Sequence, residues 1–165
     1  MVEEMPVLSL PLLKENPFQA RPLESGQSSF LIGRDAISAR WARFLHQRAA
    51  RFSLWIGERG SGRTSLLRCL SEEVDKVVHI DMYPEADHTR CILDEMYAAL
   101  VDFDIPSSRQ QIVHRLVEST THGEGPMPLI ALDFSSADGK SLAEVISRLI
   151  SALERMQALV VVTLT

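Results

Sequence analysis

The chain has 165 residues, 45% hydrophobic and 24% charged, the make-up of one soluble globular domain able to bury a sizeable core. Its net charge of -5 counts against a dominant nucleic-acid surface, because DNA-binding modules carry a basic excess. No run approaches the about 18 apolar residues of a membrane span, and Met1 to Lys14, with Glu3, Glu4 and Pro6, is no secretory signal, so a cytoplasmic protein is expected.

Residues 1–29 hold Pro6, Pro11, Pro17, Pro22, Gly26, Ser28 and Ser29, and read as an extended arm or linker; residues 30–165 read as the folded domain. The domain opens on Phe30-Leu31-Ile32-Gly33-Arg34, a short apolar run ended by glycine. Asp35 is then placed to cap a helix whose apolar positions Ile37, Trp41, Phe44 and Leu45 keep helical spacing. Arg34, Arg40, Arg43, Arg48 and Arg51 fall close together, and solvated helix charge is the simpler account of them. Phe52 to Ile56 reads as a buried strand ending at Gly57, and Thr64 to Glu73 as a helix.

A second strand is expected at Lys76 to Asp81. Helical patterns follow at about 86–101 and 107–120, broken by Asp104-Ile105-Pro106. His122 to Pro126 is a turn, Pro128 to Asp133 a third strand, and about 140–156 a helix. Ala158 to Leu164, apolar and β-branched, is a fourth buried strand. Strands alternating with helices, and apolar on both faces, predict a three-layer α/β fold with a parallel sheet between helices. The sequence ends on that fourth strand, so the sheet is expected to be truncated there, with the first strand at an open edge that invites pairing. Cys69 and Cys91 sit singly in apolar-periodic segments and read as free buried thiols in a reducing compartment. His46, His79, His88, His114 and His122 show no metal-ligand spacing.

Residues 57–64 read G-E-R-G-S-G-R-T. This meets the phosphate-loop pattern G-x-x-x-x-G-K-[ST] at every fixed position except the lysine, where Arg63 stands. Such a loop wraps its backbone around an anion, and its N–H groups, with the positive helix end behind them, neutralise phosphates. Gly57, Glu58, Arg59, Gly60, Ser61, Gly62, Arg63, Thr64 and Ser65 are the candidate phosphate-holding residues. The Thr64 hydroxyl is placed to ligate Mg²⁺. Arginine keeps the lysine's charge but brings a bulkier planar head, so weakened hydrolysis, weakened binding, or both are expected. A glycine-rich strand-to-helix turn without a ligand is the competing reading.

Leu129-Ile130-Ala131-Leu132-Asp133 is an apolar strand ending in a carboxylate. After a phosphate loop this is the Walker B pattern, which makes Asp133 the candidate catalytic and Mg²⁺-orienting group; a strand-end Asp capping the next turn is the bland reading. The next position, where hydrolytic relatives place a water-polarising Glu, is Phe134, which can neither accept a proton nor orient water. Asp138, Glu144 and Asp81 are open as substitutes. Gly139-Lys140-Ser141 lacks an upstream glycine at the required spacing and reads as a loop and helix start.

With these residues the chain resembles the AAA+ and STAND-type P-loop ATPases, closest to the archaeal ATPase and origin-recognition initiator (ORC/CDC-like) group. Asn16-Pro17-Phe18 followed by Phe30 to Asp35 is similar to that group's N-terminal arm and F-V-G-R-E box. Gly57 to Leu67 is similar to its P-loop, and Leu129 to Asp133 to its Walker B strand, so the resemblance spans residues 16–165. It implies a site for ATP or ADP with Mg²⁺, in which residues around Phe30 to Arg34, including Ile32 and Gly33, line the adenine. It also implies a sensor residue at the end of the last strand, Thr163 or Thr165. A fifth strand, a helical lid and a lid-borne sensor arginine are not found in this sequence, which predicts a piece of a longer protein. The expected function is a nucleotide-dependent switch or weakened ATPase. The alternatives are a catalytically dead scaffold working through protein contacts, or a DNA-associated initiator-like ATPase that the charge does not favour. Beyond the nucleotide, a protein partner or self-association is expected, and no membrane.

Overall fold

The computed structural model describes residues 23, 26, 33–46, 51–58, 60–81, 88–134 and 139–164. Its elements run α1 (Asp35–His46), β1 (Phe52–Ile56), α2 (Arg63–Ser71), β2 (Val77–Asp81), α3 (His88–Leu100), α4 (Arg109–His122), β3 (Leu129–Asp133), α5 (Gly139–Arg155) and β4 (Leu159–Leu164). The four strands pair in parallel in the order β1-β4-β3-β2. α1 and α2 cover one face, where Trp41, Leu66, Leu67 and Leu70 pack on Leu129, Ala131, Leu159 and Val161. α3, α4 and α5 cover the other, where Ile92, Met96, Ile112, Leu116 and Leu149 pack on Val78, Ile130, Leu132 and Val160. Each such side chain, fully buried, contributes ~1.5–3 kcal/mol of transfer free energy. Among the described residues no helix is long and apolar enough to cross a membrane.

Strand burial follows position in the sheet. β3 lies inside the sheet with helices on both faces, so all five of its residues are buried. β1 corrects the expectation of a buried strand. It is the edge strand of the described sheet, and α3, α4 and α5 do not reach over it, so Phe52, Leu54 and Ile56 are 42%, 56% and 72% exposed. Its other face carries Trp55, which meets Trp41 edge-on at 5.7 Å.

The start of α1 is also a correction. The Arg34 carbonyl accepts from Ile37 N (2.9 Å) and Ser38 N (3.0 Å), so Arg34 holds the cap position. Asp35 is instead the first helical residue, where its carboxylate still meets the positive end of the helix. The break at residues 104–106 is held by Arg90. Its guanidinium donates to the Pro106 and Ser107 carbonyls at 2.9 and 2.8 Å and its Nε to Asp94 at 2.9 Å, which ties α3 to the start of α4. Of the two thiols, Cys69 is buried as expected, but Cys91 is exposed on α3. The arginine cluster disperses. Arg51 donates to the Met156 and Glu154 carbonyls at the end of α5, Arg40 and Arg43 are exposed on α1, and Arg48 lies outside the described residues.

Candidate functional site

In parallel strands all carboxyl ends lie at one side of the sheet, and there the loop between β1 and α2 faces the ends of β4, β3 and β2. Gly57 N donates to Leu164 O at 3.3 Å, carrying the β1–β4 pairing one residue past the strand. Ser61 N donates to Glu58 O at 3.1 Å and closes a turn. Gly60 and Gly62 have φ of 82° and 80°, the left-handed region open at little cost only to glycine. Gly62 is the N-cap of α2 and makes no side-chain cap hydrogen bond. Strand, turn and helix start stand in the order that anion binding by a phosphate loop requires.

Two arginines clasp this loop. Arg63, the first residue of α2, is 9% exposed. Its Nη1 donates to Glu58 O at 2.9 Å and to Ser61 Oγ at 3.1 Å, so the guanidinium is folded back into the loop. A Cβ at position 57 would lie 2.7 Å from that nitrogen, so Gly57 leaves the room that the larger head occupies. From the start of α1, Arg34 Nη2 donates to Ser61 O at 3.0 Å, which brings the predicted box to the loop. Gly33 before it has φ of 71°. Thr64 is half-buried, next along α2. The Ser65 hydroxyl accepts from Leu23 N at 2.9 Å, so it is turned to the arm. Ile32 and Arg59 lie outside the described residues, as do Asp138 and Thr165.

Opposite the loop, Asp133 is 4% exposed and Thr163 fully buried. The two are neighbours in register across β3 and β4, and Thr163 Oγ1 donates to Asp133 Oδ1 at 2.5 Å. Phe134 continues the strand by donating its N–H to Thr163 O at 3.0 Å, but its ring, 1% exposed, is a member of the core beneath α3, α4 and α5. Glu144 is exposed on α5 and pairs with Arg148. Asp81 ends β2 in register with Asp133. Arg68 holds one of its oxygens at 2.9 Å, and His79 Nδ1 lies 3.5 Å from the other.

The sheet assembles a group that residue spacing along the chain did not reveal. One ligand atom each from His79, Asp81 and Asp133 lie within 4.8 Å of one another. Period two puts His79 and Asp81 on one face of β2, but Asp133 joins them only once β2 and β3 are known to be neighbours. Burial pushes the His79 imidazole below its ordinary value, against an upward pull from Asp81, a downward one from Arg68 and a weaker upward one from Asp133. Burial, and then the Asp81 charge, raise Glu95 on α3. Arg68 and the Arg34 clasp were likewise not singled out from sequence. Both contacts cross between different elements, which local residue patterns do not reveal.

Beside the loop an open cavity of about 440 Å³ runs between α1 and β1, with Arg34, Gly57, Ser61 and Arg63 at its polar end and Ile37 and Trp41 along its wall. An apolar wall with a few convergent polar groups is the usual make-up of a small-molecule site.

No protein-family model matches the sequence, and no curated protein matches it. Solved structures match in fold. The structure of Drosophila ORC bound to DNA aligns with a TM-score of 0.62 at 16% identity, over 84% of this chain and 39% of that one. The crystal structure of Cdc6p from Pyrobaculum aerophilum aligns with a TM-score of 0.55 at 20% identity, over 82% of this chain and 40% of that one. The chain thus spans about two fifths of the length of these solved chains. What it shares with them is architecture: a parallel four-stranded sheet between helices, in the AAA+ P-loop fold of ORC and Cdc6.

Proposed function

We propose that this chain binds ATP or ADP with Mg²⁺ on the loop 57–64 and uses the bound state as a nucleotide-dependent switch or weakened ATPase in the cytoplasm. The observation that carries the reading is the loop itself. Two left-handed glycines turn it onto the start of α2, at the carboxyl ends of parallel strands, across from the buried Asp133–Thr163 pair. Backbone N–H groups of residues 57–65 hold the phosphates. Thr64 and Asp133 are the oxygen donors suited to a hard cation such as Mg²⁺. The base is assigned to Ile32, Gly33 and Arg34, of which Arg34 lines the neighbouring cavity with its apolar wall. Mg²⁺, when bound, neutralises charge on the β- and γ-phosphates.

The arginine at 63 and the phenylalanine at 134 set the limits on turnover. The Arg63 head is engaged with its own loop, so a nucleotide must draw it out or accept its fork from where it stands. Phe134 supplies no carboxylate to polarise water. Its place in the core also supports a second reading, a scaffold that works by protein contacts and no longer turns over. A DNA-associated role draws on the Drosophila ORC structure, which holds DNA, but the net charge of -5 counts against it. Absence of DNA binding at low salt would remove that role for this chain.

Titration calorimetry with Mg·ATP and Mg·ADP, on this chain and on Arg63→Ala, tests the proposal. Micromolar binding that Arg63→Ala changes is expected. No heat with either nucleotide on a folded sample would overturn it and leave the scaffold reading.

A further inference from the structure

We propose that the arm, at Leu23 and Gly26, is a strap along α2 that positions the start of that helix for the nucleotide, so that arm docking and nucleotide binding reinforce one another. The inference rests on the reading of the loop as a nucleotide site and adds to it a positioning element from outside the loop. Leu23 N donates to Ser65 Oγ at 2.9 Å, and Gly26 N donates to Glu72 Oε1 at 2.7 Å. Ser65 is the third residue of α2 and Glu72 its C-cap. Seven residues of helix rise about 10.5 Å, so the arm is fastened at both ends of α2 and not at one point. The far anchor is the stronger, because its acceptor is a carboxylate. Gly26 presents its N–H from a φ of 82°, a conformation that suits glycine.

Where the anchors sit on the helix decides what the strap does. Leu66, Leu67 and Leu70 pack α2 on the sheet. At 3.6 residues per turn, Ser65 and Glu72 fall within about 20° of one another, on the side away from those leucines. Sheet and arm therefore grip α2 from opposite sides. Ser65 also stands in the first turn, where a helix offers its N–H groups to a partner outside itself. Its side-chain oxygen serves the arm, while its backbone belongs to the turn assigned to phosphate. A ligand on the loop fixes that turn, and a fixed turn holds Ser65 Oγ in place for Leu23 N. The docked arm in turn has already ordered part of what a nucleotide must order. Linkage makes the gain in affinity equal in both directions.

The test releases the anchor that lies outside the residues assigned to the nucleotide. Calorimetry with Mg·ADP on the whole chain is expected to show affinity falling by about fivefold in Glu72→Ala. Glu72→Gln, which keeps an acceptor oxygen for Gly26 N, retains most of it. Glu118→Ala, which removes an exposed carboxylate on α4, leaves it unchanged. In the unaltered chain, saturating Mg·ADP slows hydrogen exchange at the Leu23 and Gly26 amides by about the same factor, a readout that needs no variant to fold. Nucleotide binding that Glu72→Ala leaves intact overturns the strap and leaves the nucleotide site standing. So does exchange at Leu23 and Gly26 that bound nucleotide does not slow. If the unaltered, folded chain gives no heat with Mg·ADP or Mg·ATP, the nucleotide reading itself fails, and the strap fails with it.

Discussion

Replacing Thr163 by Val removes the hydroxyl that holds Asp133 at the centre of the site. The two side chains have nearly the same shape, so the change opens no cavity. It removes the hydroxyl that donates to Asp133 Oδ1 at 2.5 Å, between a fully buried group and one 4% exposed. A hydrogen bond to a charged group contributes about 1.5–3 kcal/mol. The valine methyl returns somewhat under ~1 kcal/mol by burial, leaving a net loss of about 1–2 kcal/mol. For a domain of this length each kcal/mol moves the midpoint by about 2–4 °C, so Tm falls by about 2–8 °C. Urea unfolding followed by the fluorescence of Trp41 and Trp55 reads the same loss as a lower midpoint at unchanged slope. Asp133→Asn and the double variant complete a cycle, in which a coupling of about 1 kcal/mol or more is expected. If the two single losses simply add, to within about 0.5 kcal/mol, the bond contributes nothing and the reasoning fails.

Phe134→Ala should cost about 3–5 kcal/mol by leaving a cavity under α3, α4 and α5, and Phe134→Glu should cost more by burying a charge; urea midpoints check both, and a loss below ~1 kcal/mol would place the ring outside the core. The exposed row Phe52, Leu54 and Ile56, on the edge strand of the described sheet, should drive self-association, which Leu54→Lys abolishes; sedimentation at increasing concentration reads it, and a monomer throughout counts against it. Iodoacetamide on the native chain should modify Cys91 fast and Cys69 only after unfolding. Burial, and then Glu72, hold the Cys69 thiol above its ordinary value, so equal rates at both would contradict the packing of α2.

The elements were legible because each strand here is a short apolar run and each helix keeps its apolar stripe. Val145, Leu149, Ala152 and Leu153 on one side of α5 show that stripe plainly. What periodicity could not show was which strand sits where. Phe52-Ser53-Leu54-Trp55-Ile56 and Leu129 to Asp133 are equally apolar, yet one is an edge strand and the other is buried throughout. The loop was legible in the same local way, since its glycines and the helix start are contiguous. The direction taken by Arg63 was not, because a guanidinium on a helix start can point to solvent, to a ligand or back to Glu58 O with no change in the sequence around it. The same holds for His79, whose neighbours depend on strand order. Asp35 shows side-chain preference giving way to backbone: aspartate favours the cap, but Gly33 at φ 71° turns the chain one residue earlier, and the cap falls to Arg34.

The two departures from the phosphate-loop pattern differ in how deeply they are built in, and this difference separates binding from turnover. Arg63 donates within its own loop, to Glu58 O and Ser61 Oγ, in space that Gly57 leaves open. An anion offers its fork charged partners in place of the neutral acceptors Glu58 O and Ser61 Oγ. Phe134 has no such exchange open to it. Its ring lies among Val78, Ile80, Ile130 and Leu132, and its N–H closes the ladder to Thr163, the residue that holds Asp133. A carboxylate cannot be put back at position 134 without unpacking the sheet that positions Asp133. Under the proposed reading, position 134 cannot supply the carboxylate that polarises water, and that is why a switch is proposed ahead of a fast enzyme.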